Sequence, residues 1–173
     1  HKYSNPGTYT VTLIVKSASG CFSLPVTRTI IIDTLPTADF TVASVKCEKN
    51  NIAFTDASNG RGGNLTEWHW SFGDGTSLVQ FTPAIANHVY AAAGNYMVKL
   101  WVKNSNGCIS ATDSLPVTVN PLPVVNFSPS FFCSKPDSVQ FISASSVPGG
   151  IDTAWHWSFG DNTVGAGNPV SHI

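Results

Sequence analysis

Asp74 and Asp161 are the first residues to ask about chemistry, because each follows a glycine in a tight-turn sequence, Gly73-Asp74-Gly75 and Gly160-Asp161-Asn162. Carboxylates in such turns are candidate calcium ligands. Calcium takes roughly six to eight oxygens, however, and no dense acidic loop surrounds either residue. The competing role is a cap, in which the aspartate accepts backbone amides of its own turn. Histidines are the next candidates. His69 and His156 each lie between two tryptophans, while His88 and His172 each open another extended run. A zinc site needs several converging ligands, and cysteine is sparse. His88 is therefore expected to anchor a strand by a hydrogen bond, and His69 to face outward. No Ser-His-Asp arrangement can be built on these residues, because the segments that hold them recur along the chain. A catalytic site copied in every repeat would be unusual, so the chain is expected not to be an enzyme and to need no cofactor, calcium excepted.

That recurrence organises the chain. Trp68-His69-Trp70-Ser71-Phe72-Gly73-Asp74 returns as Trp155-His156-Trp157-Ser158-Phe159-Gly160-Asp161, 87 positions on. His1, Tyr3, Gly7 and Tyr9 return at the same spacing as His88, Tyr90, Gly94 and Tyr96, and Gly20-Cys21 as Gly107-Cys108. A fixed spacing shared by distant segments marks an internal repeat. Proline-containing seams at Leu35-Pro36 and at Asn120-Pro121-Leu122-Pro123 separate the copies, since proline ends strands and stiffens linkers. The chain parses as the back of one repeat (1–35), a whole repeat (36–121) and the front of a third (122–173). It reads as an excerpt of something longer. Neither end piece can bury its apolar face alone.

The elements that must hold these residues are strands. Tyr96, Val98, Leu100 and Val102 alternate with Met97, Lys99, Trp101 and Lys103, and Tyr9, Val11, Leu13 and Val15 repeat the pattern. Trp68, Trp70 and Phe72 share a parity and should face one side. Trp101 falls on the face opposite Leu100, where it could stack on a sugar or a partner, or pack at a repeat junction. Glycines in 73–75 supply the left-handed backbone of a turn. About seven short strands per repeat, with no helical period, predict an all-β, immunoglobulin-like sandwich.

The motif Trp70-Ser71-Phe72-Gly73-Asp74-Gly75, then His88-Val89-Tyr90 and Gly94-Asn95-Tyr96-Met97-Val98-Lys99-Leu100, resembles the PKD (polycystic kidney disease) domain family. The resemblance implies tandem PKD β-sandwiches, with Trp70, Phe72, Gly73, Asp74, Gly75, His88, Tyr90, Gly94 and Tyr96 as structural motif. Asn162 stands where the family has the second glycine; asparagine tolerates the left-handed region. Arrays with the closing Gly-Cys pair are similar to those of large secreted proteins of Bacteroidota, such as gliding adhesins and type IX secretion cargo. That likeness implies an extracellular or cell-surface location, where disulfides form. The simple pairing joins Cys47 to Cys108 within the whole repeat. The alternative joins Cys47 to the last-turn cysteine of the following repeat, because the two turns of one sandwich normally lie beyond the roughly 7 Å a disulfide spans. Four of the eight aspartates open an Asp-Ser/Thr-apolar triplet, at Asp33, Asp113, Asp137 and Asp152. These resemble an O-glycosylation signal of the same exported proteins, with Thr34, Ser114, Ser138 and Thr153 as acceptors.

Composition narrows the partners. Charged residues are 11% of the chain, with ten acidic and nine basic, against roughly a quarter in ordinary soluble domains. No basic patch is available for phosphates, which argues against nucleic acid. No apolar run reaches the length of a membrane span, about 18 residues or more. The expected partners are neighbouring repeats, further copies of the chain, surface glycans or other proteins. Three functions fit: a stiff spacer in a surface fibre or adhesin, an accessory module of a secreted protease or glycoside hydrolase, and a self-assembling filament subunit.

Overall fold

In the computed structural model, residues 1–131 and 138–173 are described. Cys133 and Asp137 lie outside them. Every regular element among the described residues is a strand. By contacts the chain forms two compact units, one of residues 1–44, 51–88 and 95–117, the other of residues 45–50, 89–94 and 118–173. These units interleave with the repeat borders. The linker at 120–122 is bonded to the loop 46–48, and both belong to the second unit.

The middle copy holds seven strands: β3 (Phe40–Val42), β4 (Asn51–Asp56), β5 (Leu65–Ser71), β6 (Ser77–Gln80), β7 (Ala86–Val89), β8 (Gly94–Asn104) and β9 (Asp113–Val119). One sheet runs β3-β4-β7 and the other β6-β5-β8-β9. Alternation decides which face is inside. Val98, Leu100 and Val102 of β8 are fully buried, as are Ile52 and Phe54 of β4, while Met97 faces out. Phe40, Phe54, Trp70 and Phe72 form the aromatic centre; Trp70 meets Phe40 edge-on at 5.2 Å. Trp68, Trp70 and Phe72 are all buried, on the one parity they share. Pro116 sits in β9, an edge strand, the place in a sheet where proline is tolerated.

Copy three repeats this register. β10 (Phe127–Phe131) pairs with β11 (Val139–Ser143), placing Phe127 opposite Ser143 as Phe40 lies opposite Asp56. β12 (His156–Ser158) pairs with β13 (Val164–Ala166), placing Trp157 opposite Gly165 as Trp70 lies opposite Leu78. β14 (Val170–His172) closes the sheet β10-β11-β14. The first copy contributes one hairpin, β1 (Gly7–Leu13) with β2 (Val26–Ile32). Its apolar face is bare: Leu13 is 64% exposed.

Candidate functional site

The turn after β5 is built around Asp74. Its Oδ1 accepts the Thr76 amide at 3.0 Å and the Thr76 hydroxyl at 2.6 Å. Its Oδ2 accepts His88 Nε2–H at 2.7 Å. The His88 ring lies flat on Phe72, centroids 4.2 Å apart and planes 7° apart. A turn on one sheet is thereby stapled to β7 on the other, through a carboxylate and an aromatic stack. Burial pushes the Asp74 carboxyl up, but the Thr76 hydroxyl, the Thr76 amide and His88 outweigh it and hold it at about 2. Gly73 has φ +84, and a Cβ there would sit 2.8 Å from the Met97 backbone on β8. Glycine is required twice over, by the backbone angle and by the close approach.

The same staple recurs in the third copy. Asp161 takes the Thr163 amide at 2.9 Å and hydroxyl at 2.5 Å, and His172 Nε2–H at 2.9 Å, with His172 stacked on Phe159 at 4.2 Å. The Thr163 hydroxyl and amide, then His172, hold Asp161 at about 2 against desolvation. Asn162 adopts φ 69, as its place in the turn demands. Around both aspartates the neighbours are hydrogen-bond donors, which suits an anion, and a calcium ion would instead need further oxygens. Among the described residues no three His, Cys, Asp or Glu side chains converge as a metal group would require. The calcium candidates Asp74 and Asp161 each accept the amide and hydroxyl of the threonine two residues on.

His69 does lie on the outer side of its sheet, but it is not free there. It stacks on Trp101, centroids 3.5 Å apart and planes 9° apart, and its Nε2 meets Glu67 at 3.0 Å. Lys103 Nζ donates to the other Glu67 oxygen at 2.7 Å. Lys103 and then His69 hold the Glu67 carboxyl below its usual range. The Trp101 ring thus finds its partner within its own sheet.

The expected Cys47–Cys108 bond is not formed: Cys47 and Cys108 are both free thiols, as is Cys21. Cys47 sits in the loop bridged to Asn120, whereas Cys108 closes the β8–β9 turn, its amide donating to Asn104 Oδ1 at 3.0 Å. Of the glycosylation candidates, Thr34, Ser114 and Thr153 are exposed and Ser138 is half-buried. Thr34 also donates its hydroxyl to the Arg61 carbonyl.

Sequence reasoning missed two polar side chains that do much of the fastening. Asn104 is buried; its Oδ1 caps the amides of Asn106 and Cys108, and its Nδ2 donates to the Gly60 carbonyl at 3.1 Å. Glu48 accepts the Ala93 amide at 2.8 Å and the Leu122 amide at 3.2 Å. The Leu122 and Ala93 amides hold its carboxyl below the usual range. Beside it, Glu48 N–H donates to the Asn120 carbonyl at 2.9 Å and Asn120 N–H to the Lys46 carbonyl at 2.7 Å. The root of the linker is therefore tied to the loop 46–48 by both backbone and carboxylate. One signal was available: Glu48 and Glu67 are the only glutamates in the chain.

Comparison with known proteins agrees with this construction. Human Polycystin-1 is 24% identical over 176 residues, covering 100% of this chain and 4% of that protein. Collagenase ColA of Bacillus cereus is 38% identical over 53 residues, 31% of this chain and 5% of that protein. The chain thus spans a twentieth or less of the curated relatives it matches. Among solved structures, the PKD1 domain of Vibrio anguillarum Epp is 23% identical with a TM-score of 0.45, covering 51% of this chain and 96% of that one. The PKD1 domain of the Vibrio cholerae metalloprotease PrtV gives 23% and 0.43, covering 50% and 98%. The profile described as PKD domain matches residues 33–119, half of the chain and all seven strands of the middle copy, and this chain belongs to the PKD domain family.

Proposed function

We propose that this chain is a non-catalytic repeat segment of an extracellular or cell-surface protein. Its work is to act as a stiff spacer that carries protein- or glycan-contacting surfaces at a fixed reach. PKD domains occur in extracellular and secreted proteins, and no helix among the described residues is long and apolar enough to cross a membrane. The observation that carries the reading is the fastened linker root. Asn120 exchanges backbone bonds with the loop 46–48, and Glu48 holds the Leu122 amide. Pro121 and Pro123 stiffen the segment further. A linker meant as a free hinge would have no use for a dedicated carboxylate, whereas a spacer gains reach from every rotation it loses.

Glu48→Ala tests this. Amide exchange at Leu122 and Ala93 should accelerate, and small-angle scattering should show a broader spread of interrepeat distances. If exchange at Leu122 stays at the wild-type rate, the fastening is not Glu48's and the spacer reading loses its support. A second reading, an accessory module of a secreted protease, is favoured by the local match to collagenase ColA. A catalytic domain in the gene that encodes this chain would decide for it.

A further inference from the structure

All seven strands of the middle copy are in place, and β6 is still bonded to β5 alone, at the margin of the sheet β6-β5-β8-β9. Sheet edges are usually blunted by charged residues or proline. β9, the opposite margin, carries Asp113 and Pro116. β6 has no charge and no proline. From Gly75 to Val98, through β6, β7 and the loops around them, no Asp, Glu, Lys or Arg occurs. Val79 is 44% exposed, and Phe81, just past the strand, is 72% exposed.

The phase of the ladder decides which backbone groups are open. Phe72 N–H donates to the Thr76 carbonyl at 3.1 Å. From there Ser71 lies opposite Ser77, Trp70 opposite Leu78, His69 opposite Val79 and Trp68 opposite Gln80. Bonded and non-bonded pairs alternate along an antiparallel ladder. Leu78 and Gln80 therefore bond to β5, while Ser77 and Val79 turn their N–H and C=O groups away from it. The third copy has the same phase: Gly167 N–H, 87 positions beyond Gln80, donates to the Trp155 carbonyl at 3.2 Å. Among the described residues no strand receives the outward groups of β6.

We propose that two copies of this chain associate side by side through β6, edge to edge and antiparallel, about a two-fold axis at Val79. The spacing is self-complementary. With Val79 opposite Val79 of the second copy, Ser77 falls opposite Phe81, so outward groups meet outward groups at every second residue. Neither edge brings a charge, so no ion is desolvated and no like charges meet. The two Val79 side chains lie directly opposite on the outer face, with Phe81 alongside, and pack as a cross-strand pair. The contact is isologous and closes at two copies.

Amide exchange of the 173-residue chain at about 10 and about 500 μM tests the proposal, a range in which small interfaces associate. Exchange at Ser77 and Val79 should slow about threefold or more at the higher concentration, as a Kd within that range requires. Leu78 and Gln80, already bonded to β5, should keep one rate. Val79→Lys sets two ammonium groups at the two-fold axis, and Ser77 of that variant should exchange equally fast at both concentrations. Its Leu78 and Gln80 amides should keep wild-type protection, showing that β6 still pairs with β5. A wild-type Val79 amide with the same rate at both concentrations would overturn the proposal, even if the mass in solution rises. So would a Val79→Lys chain whose Ser77 amide slows as in wild type.

Discussion

The middle and third copies have the same aromatic centre in different surroundings. Phe40 and Trp70 lie 5.2 Å apart at 77°, and Phe127 and Trp157 lie 5.4 Å apart at 86°. Phe54 and Phe72 lie 5.5 Å apart, and Phe141 and Phe159 lie 5.4 Å apart. Yet Phe40 is 4% exposed and Phe127 is 51% exposed. The contacts among neighbouring strands and the Asp-His staple therefore suffice to set the geometry, while the β8–β9 pair supplies the burial. Geometry is local here, and stability is not. If so, equivalent substitutions should have unequal costs in the two copies, read by amide exchange in β4–β5 and in β11–β12 separately.

Trp70→Ala should show the largest inequality. Deleting a buried tryptophan typically costs about 3–5 kcal/mol, and Trp70 is 2% exposed with its Nε1–H on Gln80 at 3.1 Å. Trp157→Ala should cost well under half of that, since Trp157 is only half-buried. Equal losses of protection would mean that the third copy is as well packed as the second.

Gly73→Ala comes next. Left-handed backbone costs a non-glycine residue roughly 1–2 kcal/mol, and the contact with the Met97 backbone adds an overpacking cost of roughly 1–3 kcal/mol. At Gly160, with φ +90, a Cβ would meet nothing within 4 Å, so only the first cost applies. The difference between the two alanine variants therefore measures the approach of β8.

Asp74→Ala should cost about 1.5–3 kcal/mol, the range for hydrogen bonds to a charged group. Asp161→Ala should cost less, because that side chain is 51% exposed against 19% for Asp74 and is better screened. The pH dependence follows from the Asp74 carboxyl, held at about 2 against an ordinary 3.8. The fold favours the ionised form, so this contribution is complete above the ordinary value and fades as pH falls from 3.8 toward 2. Urea midpoints of the wild type should decline across that window, and Asp74→Asn should flatten the decline.

Much of this was legible in the sequence. Alternation gave the buried faces of β5 and β8, and the 87-residue spacing carried over into the pairing of β10 with β11 and of β12 with β13, whereas His172 answers His88 three positions short of it. The outward face of His69 was also readable, because parity alone decides it. What stayed hidden depends on pairs distant in sequence. Glu48 is 74 residues from Leu122, and Asn104 is 44 from Gly60; no local pattern announces such bonds.

Gly75 and Asn162 provide the finest comparison, because they are the one place in the staple where the two copies differ in residue. Both have positive φ, 93° and 69°. A Cβ at Gly75 would meet nothing within 4 Å, so no contact distinguishes the two sites. Asparagine is among the residues that enter the left-handed region readily, and it restricts the unfolded chain more than glycine does, which offsets part of the remaining strain. Gly75→Asn and Asn162→Gly should therefore each change protection by less than about 0.5 kcal/mol, as ordinary surface substitutions do. Gly75→Ala should cost more than Gly75→Asn, since alanine lacks the local hydrogen bonds that favour asparagine in this region. A loss for Gly75→Asn as large as that for Gly73→Ala would mean that the whole turn, and not only its first glycine, is pressed against β8.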